Sequence, residues 1–241
     1  MALECPMRLD PSASIVILTG AGISAESGLR TFRDAGGLWE GHRMEDVATP
    51  EGFARDPRLV QRFYDARRRQ LREVEPNAAH LALARLEREW PGGVLLVTQN
   101  VDDLHARAGS RDLIAMHGEL RKVRCRNCGA VSPWEGDLEQ SPPCPACGER
   151  ALRPHIVWFG EQPLHLPRIF DAVARCGLFL AIGTSGVVYP AAGLVMAAPS
   201  SARTVELNLE PSEVASAFLE RRLGPATERV PAFIEELLSG R

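Results

Sequence analysis

Residues 15–28 read IVILTGAGISAESG, and this stretch decides the fold class. It opens with an apolar, β-branched run, Ile15 to Thr19, the pattern of a strand buried on both faces of a parallel sheet. Gly20-Ala21-Gly22-Ile23-Ser24-Ala25 follows at once and fits the G-x-G-x-x-G/A fingerprint, in which the backbone approaches a pyrophosphate at a helix N-terminus. An ordinary tight turn between a strand and a helix has the same pattern. The stretch therefore predicts a strand-turn-helix unit and, as one of two interpretations, a dinucleotide site.

Further strands and helices alternate along the rest of the chain. Apolar runs predict four more strands, at residues 94–98, 155–159, 178–182 and 204–208. Amphipathic spacing predicts helices at residues 59–71, 77–90 and 230–238, the last with Pro231 in a permitted first-turn position. This alternation predicts an α/β fold with a Rossmann-like open, mostly parallel sheet.

Composition narrows the function classes. The chain has 241 residues, 45% of them apolar, which is enough for a real core and argues against disorder. Its 28 basic and 31 acidic residues give a net charge of −3, which argues against a nucleic-acid-binding protein. The longest apolar stretch, residues 186–199, is too short to span a bilayer, and residues 1–14 lack the apolar core of a signal peptide. We therefore expect a cytoplasmic protein that binds neither membranes nor specific nucleic acid.

Four of the six cysteines form two pairs, Cys125-x-x-Cys128 and Cys144-x-x-Cys147. Two such knuckles hold a tetrahedral Zn²⁺ through four thiolates, which leaves no open position for water. The pattern predicts one structural zinc per chain. Zinc ribbons also occur in nucleic-acid binders, and the basic residues Arg121, Lys122, Arg124 and Arg126 lie beside the first knuckle. A solvated basic face is the alternative interpretation of those four side chains.

Two segments break the strand-helix alternation and predict a small second domain. It would consist of a helical insertion, residues 40–70, and a zinc-binding module, residues 120–153. The Rossmann-like domain would then be discontinuous, formed by residues 1–39, 71–119 and 154–241.

Polar residues follow the strand predicted at residues 94–98. Gln99, Asn100 and Asp102 come at its carboxyl end, where α/β sheets place their ligands. They can bind a carboxamide or ribose hydroxyls, or Asn100 or Asp102 can cap a helix. His117 can act as a general base near neutral pH, or it can be structural. No acidic residue closes a second strand about twenty residues after the glycine turn, as an ordinary NAD dehydrogenase would require, which argues against hydride transfer.

Together these motifs resemble the sirtuin family, and they occur in that family's order from Ile15 to the C-terminus. The chain is most similar to the bacterial deacylase branch. The resemblance is carried by Gly20 to Ser24, Glu26-Ser27-Gly28, Phe32-Arg33, Thr98 to Asp102, His117-Gly118, the four paired cysteines, Val157 to Glu161, Gly183-Thr184-Ser185 and Asn208-Leu209-Glu210. The departures are Val101, where many members have Ile, and a short zinc module.

The resemblance implies an NAD-dependent protein-lysine deacylase. The acyl oxygen attacks C1′ of the nicotinamide ribose, nicotinamide leaves, and the products are the free lysine and O-acyl-ADP-ribose. His117 matches the general base, and Asn100 and Asp102 match residues that hold the ribose and the carboxamide. The residues that match NAD contacts are Gly20, Ala21, Gly22, Ile23, Ser24, Ala25, Glu26, Phe32, Arg33, Trp39, Gln99, Asn100, Val101, Asp102, Gly183, Thr184, Ser185, Asn208, Leu209, Glu210 and Ala226.

The same resemblance indicates where the protein substrate binds. Its partners would be acyl-lysine side chains of other proteins, bound by a monomer. The segment that matches the substrate-pairing strand is Val157, Trp158, Phe159, Gly160 and Glu161. A mono-ADP-ribosyltransferase using the same nicotinamide cleavage stays open as an alternative activity.

Three further residues indicate the acyl preference. Tyr64 and Arg67 are three apart on a predicted helix and so share a face, and Arg67 can bind a carboxylate with both arms of its guanidinium. Ala48 is small where many deacetylases of the family have a bulky aromatic residue. Together the three resemble a pocket for succinyl, malonyl or glutaryl lysine. The alternative is that Arg67-Arg68-Arg69 is only a solvated charge run.

Overall fold

The computed structural model describes residues 9–29 and 38–240. The strands, in chain order, are β1 (Ile15–Thr19), β2 (Leu38–Trp39), β3 (His42–Arg43), β4 (Val94–Thr98), β5 (Leu113–Ala115), β6 (Gly118–Cys125), β7 (Val131–Pro133), β8 (Leu152–Ile156), β9 (Leu178–Ile182), β10 (Arg203–Asn208) and β11 (Glu220–Leu223). The α-helices are α1 (Gly22–Ala25), α2 (Met44–Val47), α3 (Pro50–Arg55), α4 (Pro57–Gln70), α5 (Ala78–Glu89), α6 (Leu104–Ala108), α7 (Leu166–Val173) and α8 (Ala226–Ser239). Two 3-10 helices span Ala191–Ala197 and Ala215–Ala217.

The main sheet within the described residues has six strands in the order β11-β10-β9-β1-β4-β5, and every neighbouring pair is parallel. Strand β1 lies between β9 and β4, and all five of its residues are buried. Ile15 and Ile17 pack on one face with α5 and α8, whereas Val16 and Leu18 pack on the other with α7 and the first 3-10 helix. The predicted α/β fold with an open parallel sheet is confirmed.

The sequence patterns did not predict two strands of the main sheet, β5 and β11, which are short or polar. Strand β5 has three residues, and β11 reads ERRL with none of its residues fully buried, so neither presents a continuous apolar run. Both lie at the edges of the sheet, where short or charged strands protect the unpaired backbone groups from pairing with another chain.

The strand predicted at residues 155–159 is wrong in place and partner. The structure has β8 at Leu152–Ile156, and it pairs antiparallel with β6 in a separate sheet of order β7-β6-β8. Ile156 and Trp158 pack with Phe53 and Tyr64 from the helical segment instead of under the parallel sheet. A short apolar run predicts burial, but it does not specify the surface that buries it.

The last helix begins earlier than its apolar pattern indicates. Helix α8 starts at Ala226, so Pro231 lies inside it, and the prediction that Pro231 occupies the first turn is wrong. The opening residues of α8 are part-exposed or exposed and carry no apolar stripe, which starts at Val230. The carboxylate of Glu26 accepts hydrogen bonds from the backbone N–H and the hydroxyl of Thr227 and thereby holds this first turn.

Helix α4 packs against the segment that carries the cysteines through a buried ion pair. Arg68 and Asp65 are each 2% exposed and lie 2.8 Å apart. Arg68 also donates to the carbonyl oxygens of Leu120 and Gly136, and Asp65 accepts from the backbone N–H groups of Leu138 and Glu139. These contacts connect the two segments of the expected small domain, and the division of the chain into two domains stays a prediction.

Helix length and composition bear on the membrane question. Among the helices of the two described ranges, none is both long and apolar enough to cross a bilayer.

Candidate active site

A cleft of about 890 Å³ opens at the carboxyl ends of β1, β4, β9 and β10. This is the edge at which open α/β sheets bind their ligands. The predicted cofactor residues that line it are Gly20, Ala21, Gly22, Ser24, Ala25, Glu26, Trp39, Gln99, Asn100, Val101, Asp102, Gly183, Thr184, Ser185, Asn208, Leu209, Glu210 and Ala226. The cleft therefore collects residues from six separate stretches of the chain.

Three predicted cofactor residues are not among those that line the cleft. Ile23 is fully buried in the core beside β1, so only its neighbours face the cleft. Phe32 and Arg33 lie outside the described residues.

Glycine is required in the first turn because two backbone segments meet there. A Cβ on Gly20 would lie 2.7 Å from the carbonyl oxygen of Gly183, and one on Gly22 would lie 2.8 Å from the Gly183 Cα. The Gly22 N–H donates to that same Gly183 carbonyl at 2.8 Å. The turn after β1 is thus packed against the end of β9, and its backbone forms part of the cleft wall.

His117 faces the cleft from the residue before β6. Its Nδ1 lies 3.1 Å from the carbonyl oxygen of Gln99, so Nδ1 carries the proton and Nε2 is left as an acceptor. Burial lowers the pKa of His117 below its ordinary value, which keeps the ring neutral near pH 7. Gly118 allows the close pairing behind it, because a Cβ there would lie 2.0 Å from the His155 carbonyl.

Asn100, Ser24 and Asp102 form a connected hydrogen-bond network. The Asn100 amide donates to the Gly20 carbonyl and to the Ser24 hydroxyl, both at 3.1 Å, and Ser24 donates to Asp102 at 3.0 Å. The second Asp102 oxygen accepts from the backbone N–H of Leu104 at the start of α6. Asp102 lines the cleft and supports the start of α6, but the N-cap residue of that helix is Asp103, so the prediction that Asn100 or Asp102 is the N-cap is wrong. The role of Asp102 in binding a ligand stays a prediction. Burial raises its pKa to about 6.

Two buried histidines behind this network carried no sequence signal. Ser24 Oγ lies 3.5 Å from His80 Nε2, and the His80 and His105 rings lie 4.8 Å apart. His105 Nε2 lies 3.0 Å from the hydroxyl of Thr19, which donates to Thr98 at 2.9 Å. Burial lowers the pKa of His80 to about 4 and that of His105 well below its usual value, so both rings are neutral. Only tertiary packing brings His80, His105, Thr19 and Thr98 together behind Ser24.

All eight predicted substrate residues line the same cleft. They are Ala48, Tyr64, Arg67, Val157, Trp158, Phe159, Gly160 and Glu161. The backbone N–H of Val157 donates to the His117 carbonyl and that of Phe159 donates to the Ala48 carbonyl, each at 2.9 Å. Residues 157–159 are thereby held between His117 and Ala48.

The three consecutive arginines of α4 have three different environments. Arg67 reaches the cleft, with its side chain 19% exposed and 3.4 Å from Glu40. Arg68 is buried against the cysteine-bearing segment, and Arg69 is exposed in an ion pair with Asp137. A uniformly solvated charge run is therefore excluded for Arg67 and Arg68.

The four paired cysteines converge. The Sγ atoms of Cys125, Cys128, Cys144 and Cys147 all lie within 4.8 Å of one another. The Cys125–Cys147 and Cys128–Cys144 sulfur distances are 3.7 and 3.9 Å. Zn–S bonds of about 2.3 Å in a tetrahedron place sulfurs roughly 3.8 Å apart, so the cluster fits a structural Zn²⁺. Cys176 is buried elsewhere, and Cys5 lies outside the described residues.

The basic side chains beside the first knuckle are engaged within the protein. Arg121 pairs with Asp103, Lys122 with Glu119, and Arg124 with Glu161. Arg126 lies over the ring of Phe53, 5.4 Å from its centroid. Both interpretations of these side chains, a solvated basic face and a nucleic-acid contact, stay predictions.

Comparison with known proteins agrees with this geometry. The model of the Sir2 family matches residues 20–190. NAD-dependent protein deacylases from Salmonella typhimurium and Escherichia coli are 59% and 60% identical to the chain over 230 residues, covering 94% of it and 84% and 82% of the relatives. The chain belongs to the Sir2 family.

Solved structures give the same result. The crystal structure of a Sir2 homolog–NAD complex is 39% identical, with a TM-score of 0.86 over 94% of this chain and 90% of that one. A structure described as Sir2–p53 peptide–NAD⁺ is 30% identical, with a TM-score of 0.80 over 92% of both chains.

Proposed function

We propose that this Sir2-family protein, an NAD-dependent protein-lysine deacylase, removes acidic acyl groups, succinyl and malonyl, as well as acetyl. The observation that carries the proposal is one cleft that holds both the His117–Asn100–Asp102 group and the Tyr64–Arg67 pair. Relatives about 60% identical over most of the chain are named NAD-dependent protein deacylases. The products would be the free lysine, nicotinamide and O-acyl-ADP-ribose.

The residues of the cleft fit NAD. A glycine turn packed against Gly183 provides backbone without side chains for a pyrophosphate, and amide and carboxyl groups lie beside it. Bound NAD supplies the electrophilic C1′ of its nicotinamide ribose, to which the acyl oxygen adds as nicotinamide leaves. Asn100 and Asp102 would hold the carboxamide and the ribose, with Ser24 joining them.

His117 is suited to be the general base. The backbone carbonyl of Gln99 fixes the tautomer by accepting a hydrogen bond from the His117 Nδ1–H, so that the free Nε2 lone pair can accept a proton from a ribose hydroxyl. Because burial lowers its pKa, His117 is unprotonated at neutral pH and ready for this step. The backbone bond from Val157 to the His117 carbonyl ties the base to the segment proposed to bind substrate.

Three residues that line the cleft support the proposed acyl preference. Ala48 leaves space, Arg67 carries a guanidinium, and Tyr64 carries a fully buried hydroxyl. A succinyl or malonyl carboxylate placed there would gain charge-assisted hydrogen bonds that an acetyl group lacks. That the protein acts as a cytoplasmic monomer and binds no nucleic acid stays a prediction.

The proposal is tested with one peptide carrying acetyl-, succinyl- or malonyl-lysine, incubated with NAD and protein. Mass spectrometry should detect the free lysine, nicotinamide and the matching O-acyl-ADP-ribose for all three acyl groups. ADP-ribose attached to protein, without O-acyl-ADP-ribose, would instead indicate a mono-ADP-ribosyltransferase. Turnover of the acetyl peptide alone would remove the acidic acyl groups from the proposal.

A further inference from the structure

The hydroxyl of Tyr64 has one defined hydrogen-bond donor. Trp158 Nε1 lies 2.9 Å from the Tyr64 oxygen, and both residues are buried, at 2% and 0% exposure. An indole N–H can only donate, so the tyrosine oxygen must accept. The single O–H proton of Tyr64 is therefore not consumed by this bond.

The Trp158 indole is held on several sides. The guanidinium of Arg153 lies over its ring, 3.3 Å from the centroid, and the ring of Phe53 lies 5.1 Å away. Glu161 accepts from the Trp158 backbone N–H at 2.9 Å and binds Arg153 with both carboxylate oxygens, at 2.7 and 3.0 Å. The Trp158 indole is consequently held by an ion pair of which one member, Glu161, also lines the cleft.

A hydroxyl that accepts one hydrogen bond donates a stronger one, because the two bonds polarise each other. It also loses rotational freedom, since one lone pair is tied to the indole. Tyr64 and Arg67 are three residues apart on α4, and both line the cleft with Trp158. Tyr64 therefore lines the cleft in which an acyl group would lie, and its O–H proton is not used in the bond from Trp158.

We propose that Trp158 is a positioning residue for acidic acyl groups: its indole N–H engages the Tyr64 oxygen and leaves the Tyr64 O–H to donate to the acyl carboxylate. This inference rests on the proposed acceptance of succinyl and malonyl lysine. Trp158 acts through Tyr64 and needs no contact with the substrate carboxylate itself.

The test measures the affinity of one peptide in its succinyl- and acetyl-lysine forms by titration calorimetry, and compares the ratio of the two dissociation constants. The proteins are the wild type, Trp158→Phe, Tyr64→Phe, the double variant and Arg67→Met. Phenylalanine keeps an aromatic ring and removes the N–H. Trp90→Phe is the matched control, because Trp90 is also buried and donates its indole N–H, to the Ala13 carbonyl, outside the cleft lining.

Trp158→Phe should reduce the preference for the succinyl peptide by roughly two- to tenfold, the effect of losing one hydrogen bond. The double variant should have the same ratio of dissociation constants as Tyr64→Phe alone. Trp90→Phe should have the ratio of the wild type. A merely structural role would weaken both peptides together and leave the ratio unchanged.

The role of Trp158 would be overturned if Trp158→Phe lowered the preference for the succinyl peptide equally in the wild type and in Tyr64→Phe. It would also be overturned if the substitution lowered that preference in neither protein. If Arg67→Met and Tyr64→Phe lower the ratio and Trp158→Phe does not, this inference alone fails. If the wild type shows no preference that Arg67→Met removes, the proposed acidic-acyl function fails, and this inference fails with it.

Discussion

Nη1 of Arg67 and Oε2 of Glu40 lie 3.4 Å apart in the wall of the cleft, with their side chains 19% and 13% exposed. An acidic acyl group bound at Arg67 would meet a guanidinium that already faces one carboxylate. Glu40 would therefore compete with the acyl carboxylate for the same positive charge. This relationship gives a prediction that Arg67 alone does not.

Glu40→Gln is expected to raise the ratio of desuccinylation to deacetylation, each measured as kcat/KM. A partly exposed ion pair is worth about 0.5–1 kcal/mol, so the ratio should rise by roughly two- to fivefold. Glu45→Gln is the control, since Glu45 pairs with Arg43 among exposed residues outside the cleft lining. A fall in the ratio for Glu40→Gln would show that Glu40 orients Arg67 instead of competing with the acyl group.

Arg67→Met keeps the length of the side chain and removes the guanidinium. Charge-assisted hydrogen bonds are worth about 1.5–3 kcal/mol, so kcat/KM for the succinyl peptide should fall by at least about tenfold. Deacetylation should fall much less, because an acetyl group has no carboxylate to lose. Tyr64→Phe should repeat this pattern more weakly. Equal losses on both peptides would make Arg67 structural and end the pocket proposal.

His117→Ala should lower deacylation by about a hundredfold or more while NAD still binds, because general-base terms are worth about 10²–10⁴. The readouts are steady-state turnover and calorimetric NAD affinity. His155→Ala serves for comparison, since His155 is only partly buried on the neighbouring strand β8 and does not line the cleft. Near-normal turnover of His117→Ala would remove His117 from the mechanism.

Burial of His80 and His105 should make the fold sensitive to mild acid. Their pKa values are lowered in the folded state, to about 4 for His80, so below pH 6.5 the unfolded chain binds protons that the folded chain does not. The free energy of unfolding should then decrease as pH falls from 6.5 towards 4, by up to about 1.4 kcal/mol per pH unit for each histidine. Asp102 has the opposite effect, because its raised pKa of about 6 lets the folded chain bind a proton that the unfolded chain does not bind until lower pH. Asp102 therefore reduces the loss of stability with falling pH.

Urea unfolding of the wild type and His105→Gln between pH 7.5 and 5 checks this expectation. The variant should be less stable overall, because the buried contacts of His105 are lost. Since Gln cannot take up a proton, the variant should lose less stability per pH unit than the wild type, by the amount that corresponds to one proton, about 1.4 kcal/mol. The same pH slope in both proteins would show that His105 is not held neutral by burial.

Cys128→Ala should release the zinc and destabilise the segment around β6, β7 and β8, because the binding energy of a structural metal is folding energy. Cys176→Ala should retain the metal, since Cys176 lies outside the sulfur cluster. Metal analysis and thermal unfolding of the purified variants provide the measurement. Zinc-free protein with the stability and activity of the wild type would contradict the site.

The central strands of the main sheet could be predicted from the sequence, because the signal for each lies within a few consecutive residues. A strand buried on both faces must be apolar throughout, so the runs at residues 15–19, 94–98 and 178–182 could be placed correctly. The spacing of the paired cysteines likewise predicts the sulfur cluster, because each Cys-x-x-Cys turn directs two sulfurs to one metal. The strand near residue 155 was misplaced because burial against Phe53 and Tyr64 looks the same in sequence as burial under the main sheet.

The sequence by itself determined which side chains can perform the chemistry, namely a base, amides, carboxylates, thiolates and guanidinium groups. Tertiary structure alone decided which of them meet. Arg67, Arg68 and Arg69 are chemically identical neighbours, yet one faces the cleft, one is buried on Asp65 and one is solvated beside Asp137. The helix turns each side chain by a fixed angle, but the surface that it then meets belongs to residues far away in the chain. His80 and His105 are neutral partners of the site for the same reason, since desolvation is a property of the packed molecule and not of any motif.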